Sequence, residues 1–167
     1  MPSKRGSPPR LRKIASTRLL ASQILETIPD AIVGVDKTGT IVQVNKQTEL
    51  LFGYTHDELI GQPVEMLIPE RIRQEHDQHR ANFAEHPRVR QMGAGLDLYG
   101  KRKDGSEFSV EISLSPVNTE EGLLVLSAIR DVSARKKIEE ELRKAHQELG
   151  ARTDRQLYEY RTQLASI

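Results

Sequence analysis

Two apolar runs of period two flank an Asp-Gly pair, and few chains with that pattern can avoid folding into a sheet. Met92, Ala94, Leu96 and Leu98 alternate with Gly93, Gly95, Asp97 and Tyr99; beyond Asp104-Gly105, Phe108, Val110, Ile112 and Leu114 alternate with polar residues. Successive strand side chains point to opposite faces, so each run buries one face only. Asp-Gly between such runs is the strongest short-range hairpin signal, because the tight turn needs positive φ. The stretch "AIVGVDKTGTIVQVN" offers a second pair of short strands around Lys37, Thr38 and Gly39, with Gly39 suited to the positive-φ position. After a loop "PVNTEEG", the run "LLVLSAIRDV" makes a last strand. The expected class is α+β, with a five-stranded antiparallel sheet and helices on one face.

The helices come from the segment between the strand pairs and from the two ends. Between Asn45 and His86 the pieces "KQTELLFGY", "THDELIG" and "PVEMLIP" are punctuated by Gly53, Gly61, Pro63 and Pro69, and read as short helices. Asn45 is placed to cap the first of them. A longer helix follows in "RIRQEHDQHRANF", where Ile72, His76, His79 and Phe83 are spaced by four, three and four and share one expected face. Residues 1–10 are a basic, Pro- and Ser-rich tail expected to be disordered. An amphipathic helix is expected over 11–28, ended before Pro29, and the folded domain over 29–133. From 134 to 167 a helix carries Ile138, Leu142, Ala145 and Leu149 at coiled-coil spacing, then Leu157, Tyr160, Leu164 and Ile167 out of phase, so a bend or register slip is expected near Gly150. The narrow seam and charged opposite face favour a parallel homodimer.

Composition closes several routes. A chain of 167 residues holds about one domain with extensions. With no cysteine there is no disulfide framework, thiolate metal site or thiol nucleophile, and the flavin-cysteine photochemistry is excluded. A net charge of +1 gives no global pull toward nucleic acid, and no apolar run suits a membrane span or secretory signal, so a cytoplasmic location is expected. No phosphate-binding loop, kinase set or nucleophile elbow occurs, and "EHDQH" is not the His-Glu-x-x-His of zinc proteases. An enzyme is not expected. A metal site from His76, Asp77 and His79 is conceivable, with no third convergent ligand evident.

Three signatures in order, "ILETIPDAIVGVDKTGTIVQVNKQTELLFGYTHDELIGQPVEMLIP", "GKRKDGSEFSVEISLSP" and "IRDVSARKKIEEEL", closely resemble PAS sensor domains over about residues 18 to 135. The resemblance implies the PAS fold, a pocket between sheet and helices, and a sensory role passed through the last strand into an exported helix, with Arg130-Asp131 fixing that junction. "EHDQHR" followed by "GKRKDGSEF" is similar to the haem-PAS oxygen sensors of the FixL type. That likeness implies a b-type haem whose iron is held by His76, an apolar wall of Met92, Ala94, Leu96, Ile112 and Leu114, and Arg90 beside a propionate. Where those sensors carry an oxygen-binding arginine this chain has Leu96, which suits carbon monoxide, nitric oxide or redox sensing better than oxygen. Noncovalent flavin, or no ligand at all in a dimerisation or interaction module, are the alternatives. The expected partners are a second copy, through Ile138, Leu142 and Leu149, and a signalling protein.

Overall fold

The computed structural model describes residues 20–92 and 97–165. Helix α1 (described over 20–27) leads into β1 (Ala31–Val35) and β2 (Ile41–Val44). Next come α2 (Lys46–Phe52), α3 (His56–Leu59), two 3-10 turns (Val64–Leu67 and Glu70–Ile72) and α4 (Arg73–Glu85). Strands β3 (Arg90–Met92), β4 (Leu98–Lys101), β5 (Glu107–Thr119) and β6 (Gly122–Asp131) follow, and α5 (Ser133–Leu164) ends the described chain. The basic tail, the first half (11–19) of the expected N-terminal helix, Ala94, Leu96 and Ile167 lie outside the described residues.

The sheet is antiparallel throughout, in the order β2-β1-β6-β5-β3, with β4 also paired to β5. Leu98 to Lys101 pair with Val110 to Glu107, and Arg90 to Met92 pair with Leu114 to Ile112. The expected long strand therefore occupies one edge position as two segments, and the five expected positions hold six strands. Both tight turns are built as their glycines require, with Gly39 at φ 86° and Gly105 at φ 87°. Asp36 shapes the first by accepting from the backbone of Thr38 and Thr40 through Oδ1. The expected loop at "PVNTEEG" is mostly strand: β5 runs to Thr119 and β6 starts at Gly122. Pro116 is tolerated there because β3 pairs no further than Leu114, which leaves β5 an open edge beyond it.

Ala31, Val33, Val35, Ile41 and Val44 on one sheet face close over Phe52, Leu59 and Leu67 from the helices, with Phe108, Val110 and Ile129 completing the core. Apart from Ala31, each such side chain contributes about 1.5–3 kcal/mol on burial. Phe52 meets Phe108 edge-on at 5.4 Å between centroids.

Asn45 sits in that core as a fully used amide. Its Oδ1 accepts from the amides of Ile32 (2.9 Å) and Thr48 (3.1 Å), and its Nδ2 donates to the carbonyls of Leu25 (3.1 Å) and Asp30 (3.0 Å). The expected helix cap is thus also the tie between α1, β1 and α2.

The chain divides into two compact units, Met1–Asp131 and Val132–Ile167. Within the second, α5 is unbroken for 32 residues and passes through Gly150 without interruption, so the shift of apolar phase is not a break in the helix. One glycine costs a helix only about 1 kcal/mol. Ile138, Leu149 and Tyr160 recur every eleven residues, as do Leu142, Thr153 and Leu164. A stripe with that period follows a nearly straight helix past the glycine.

Asn45→Ala should lower unfolding free energy by roughly 3 kcal/mol, because two amides and two carbonyls lose their partner in or near the core. Urea denaturation followed by far-UV circular dichroism measures it. A loss below about 0.5 kcal/mol, the range of an ordinary surface substitution, would show that Asn45 is only a surface-type cap.

Candidate functional site

Helix α4 is led in by turns that Pro63 and Pro69 begin, each proline preceding a 3-10 segment. Its inward side is not the stripe expected from the sequence. Ile72, His76, Arg80 and Phe83 are half-buried, whereas His79 is exposed and faces Glu75 across one turn at 3.8 Å. Steps of four, four and three fit a helix as well as four, three and four do. Arg80 takes the inward place because its guanidinium lies over Gly39, in space that any Cβ at position 39 would fill.

Around His76 three other ionisable groups meet. Glu65, from the first 3-10 turn, brings Oε1 to 3.3 Å from His76 Nδ1 and 3.2 Å from Arg80 Nε. Arg80 Nη2 donates to Asp77 Oδ1 at 3.1 Å. The Nε of Arg80 is buried and poorly aligned for a hydrogen bond to Glu65, so that contact is a coulombic pair. Burial pushes the His76 imidazole below its ordinary pKa, against the opposing pull of the Glu65 carboxylate. The ring is therefore neutral near pH 7. Asp77 is held below the usual carboxylate range, first by Arg80. The conceivable metal cluster is corrected accordingly: Glu65, not His79, stands with His76 and Asp77, their ligand atoms all within 4.8 Å of one another, and the guanidinium of Arg80 already supplies positive charge there.

On the sheet, Arg90 is paired with Leu114 and Met92 with Ile112, so all four share the face that carries Val110 and Ile129 toward the core. Met92, Ile112 and Leu114 are half-buried, and Arg90 is exposed at the edge. At the end of β6 the two singled-out residues pair differently. Arg130 makes two hydrogen bonds to the Asp30 carboxylate, at 2.9 and 2.8 Å, tying β6 to the start of β1. Asp131 accepts from Arg102 at 2.8 Å, while Arg102 also donates to the Leu51 carbonyl and lies 3.9 Å over the Phe108 ring. The strand's last residue is thus fastened to the β4–β5 turn and to the end of α2. In the second unit Ile138, Leu142 and Leu149 are exposed at 65%, 70% and 63%.

Glu65 and Arg80 are the residues that sequence reasoning did not single out. Glu65 lies in a different element from His76, and Arg80 reads as an ordinary solvated charge. The signal that could have found Arg80 is its spacing of four from His76.

The model of the PAS fold family matches residues 20–132. Sensor protein FixL of Bradyrhizobium diazoefficiens is 31% identical over 126 residues, covering 75% of this chain and 25% of that protein. Oxygen sensor protein DosP of Escherichia coli is 30% identical over 99 residues, covering 59% of this chain and 12% of that protein. The chain thus spans a quarter or less of these relatives. Among solved structures, the PAS domain of an HTR-like protein from Haloarcula marismortui superposes with a TM-score of 0.62 at 25% identity, over 73% of this chain and 97% of that one.

Proposed function

Since the chain belongs to the PAS fold family, and so to a class of sensory domains, we propose that it senses through a b-type haem held by His76 and signals through α5 as a homodimer. The observation that carries the haem reading is the placement of His76: half-buried on the inward side of α4, neutral, and engaged at Nδ1 by a carboxylate. Such a ring offers iron the Nε2 lone pair. The donor set fits in its other parts as well. Met92, Ile112 and Leu114 present apolar side chains that the core covers only in part, and Arg90 stands exposed at the same sheet edge, where a propionate could reach it. Haem, when bound, supplies a site for a diatomic gas or a change of redox state. The chain's own work is to hold the ring, exclude water with the sheet face and register the change; no catalytic step is assigned to it.

The response has a covalent route out. β6, whose Val125 and Ile129 lie on the same face as Ile112 and Leu114, ends at Asp131, and α5 begins at Ser133 with neither glycine nor proline between them. Arg102 and Asp30 anchor that strand end, so a shift of β6 strains defined ion pairs rather than a loose tail. The apolar stripe of α5 calls for a partner helix, and burying several leucine-sized side chains at about 1.5–3 kcal/mol each can offset the cost of association. The charged opposite face, with Arg143 holding Glu140 at about 2, belongs in water. Among the described residues no helix is long and apolar enough to cross a membrane.

A second reading, a ligand-free dimerisation module, draws on the same exposed stripe, which needs no haem. His76→Ala separates the two. It should abolish retention of haem through gel filtration with unchanged helix content, while His79→Ala, altering an exposed ring, should retain it; intact ligation in His76→Ala removes His76 from the site. Independently, Leu142→Asp should convert a dimer to a folded monomer by light scattering, and a wild-type chain already monomeric at micromolar concentration rules out the α5 dimer.

A further inference from the structure

If His76 holds iron, something must fix its ring, and the geometry points to Glu65 as the positioning residue of the iron site, with Arg80 seated over Gly39 as the brace that holds Glu65. This inference rests on the haem reading and adds to it two residues that the likeness to haem-PAS sensors does not supply. An imidazole that meets a carboxylate through Nδ1 carries a proton on that nitrogen, because an ionised carboxylate only accepts. Nε2 is then the nitrogen left to hold a metal. Glu65 is well placed to impose this choice. Its side chain is only 15% exposed, and its 3-10 turn is fixed to the β1–β2 hairpin by Val64 N–H donating to the Gly39 carbonyl (3.0 Å) and Ile41 N–H donating to the Gln62 carbonyl (2.8 Å).

Arg80 completes the frame one turn beyond His76. It sits 3.2 Å from Glu65 through its buried Nε and donates to Asp77 at 3.1 Å through Nη2, so a Glu65 carboxylate that swung away would leave that buried Nε without its counter-charge. The flat guanidinium reaches this position because residue 39 has no side chain. A carboxylate accepting from Nδ1–H also raises the basicity of the ring, which favours ferric over ferrous iron.

The test uses the full chain, with hemin as the probe, in Glu65→Gln and Glu65→Leu variants shown by circular dichroism to be folded. Nitrogen-15 NMR of histidine-labelled, haem-free protein reads the His76 tautomer; Soret titration reads hemin affinity, and potentiometry the midpoint potential. Wild type should show the Nδ1–H tautomer. Glu65→Leu should lose that preference, bind hemin about tenfold or more weakly and show a raised potential, and Glu65→Gln, which keeps a neutral acceptor, should fall between. An Nε2–H tautomer in wild type, or a Glu65→Leu variant with tautomer, affinity and potential all unmoved, overturns the positioning role alone. A wild-type chain that takes up no hemin overturns the iron site itself, and this inference with it.

Discussion

The buried amide of Asn45 is the constraint on which the order of the helical half depends. An unpaired primary amide inside a core would cost several hydrogen bonds' worth of desolvation, so its four partners, from α1, the approach to β1, β1 itself and α2, must arrive together. That requirement sets where α2 leaves the sheet. From there α3 and the 3-10 turns run back along the β1–β2 hairpin, where Gly39 and Ile41 exchange backbone hydrogen bonds with Gly61, Gln62 and Val64 of the segment that carries Glu65. The position of the carboxylate facing His76 is therefore inherited from the hairpin that carries the buried Val33, Val35 and Ile41.

Stability and response are built in different places. The close-packed core lies under β1, β2, α2 and α3, with Val33, Ile41 and Leu59 fully buried. Along β5 toward Leu114 the same face is only half covered. The helix that carries His76 is polar, and the second turn leading into it, Glu70–Ile72, is held to the sheet by pairs such as Arg71 with Glu107 at 2.7 Å and Lys101 with Glu70 at 3.0 Å. Exposed pairs of this kind are worth about 0–1 kcal/mol each. An element held so lightly opens at low cost, which suits a moving part of a sensory domain.

Much of the fold could be read in the sequence because its signals are local. Gly39 and Gly105 announce hairpins through the backbone alone, and alternation of Phe108, Val110, Ile112 and Leu114 assigns a face without reference to anything distant. The site was legible in part, and for a physical reason. His76 stands half-buried as its spacing predicted, but His79 was given an inward place that belongs to Arg80, since a charged residue is not expected inside until its tertiary partners, Glu65 and the bare backbone of Gly39, are known. Pro116 and its neighbours read as loop because proline cannot donate to a ladder, yet the missing donor is harmless where β5 becomes an edge. Glu65 had no local signal, because its meaning comes from a contact made across eleven residues and two elements.

Hemin titration of the purified wild-type chain, followed in the Soret region and by resonance Raman of the ferrous form, tests the proposed haem site most directly. Saturation at one hemin per chain, with an iron–histidine stretch, is the result expected of a ring held ready by a carboxylate. Absorbance that rises without saturation, with the broad band of unbound hemin, would contradict it and leave the chain a PAS module whose half-covered sheet face serves another ligand or none.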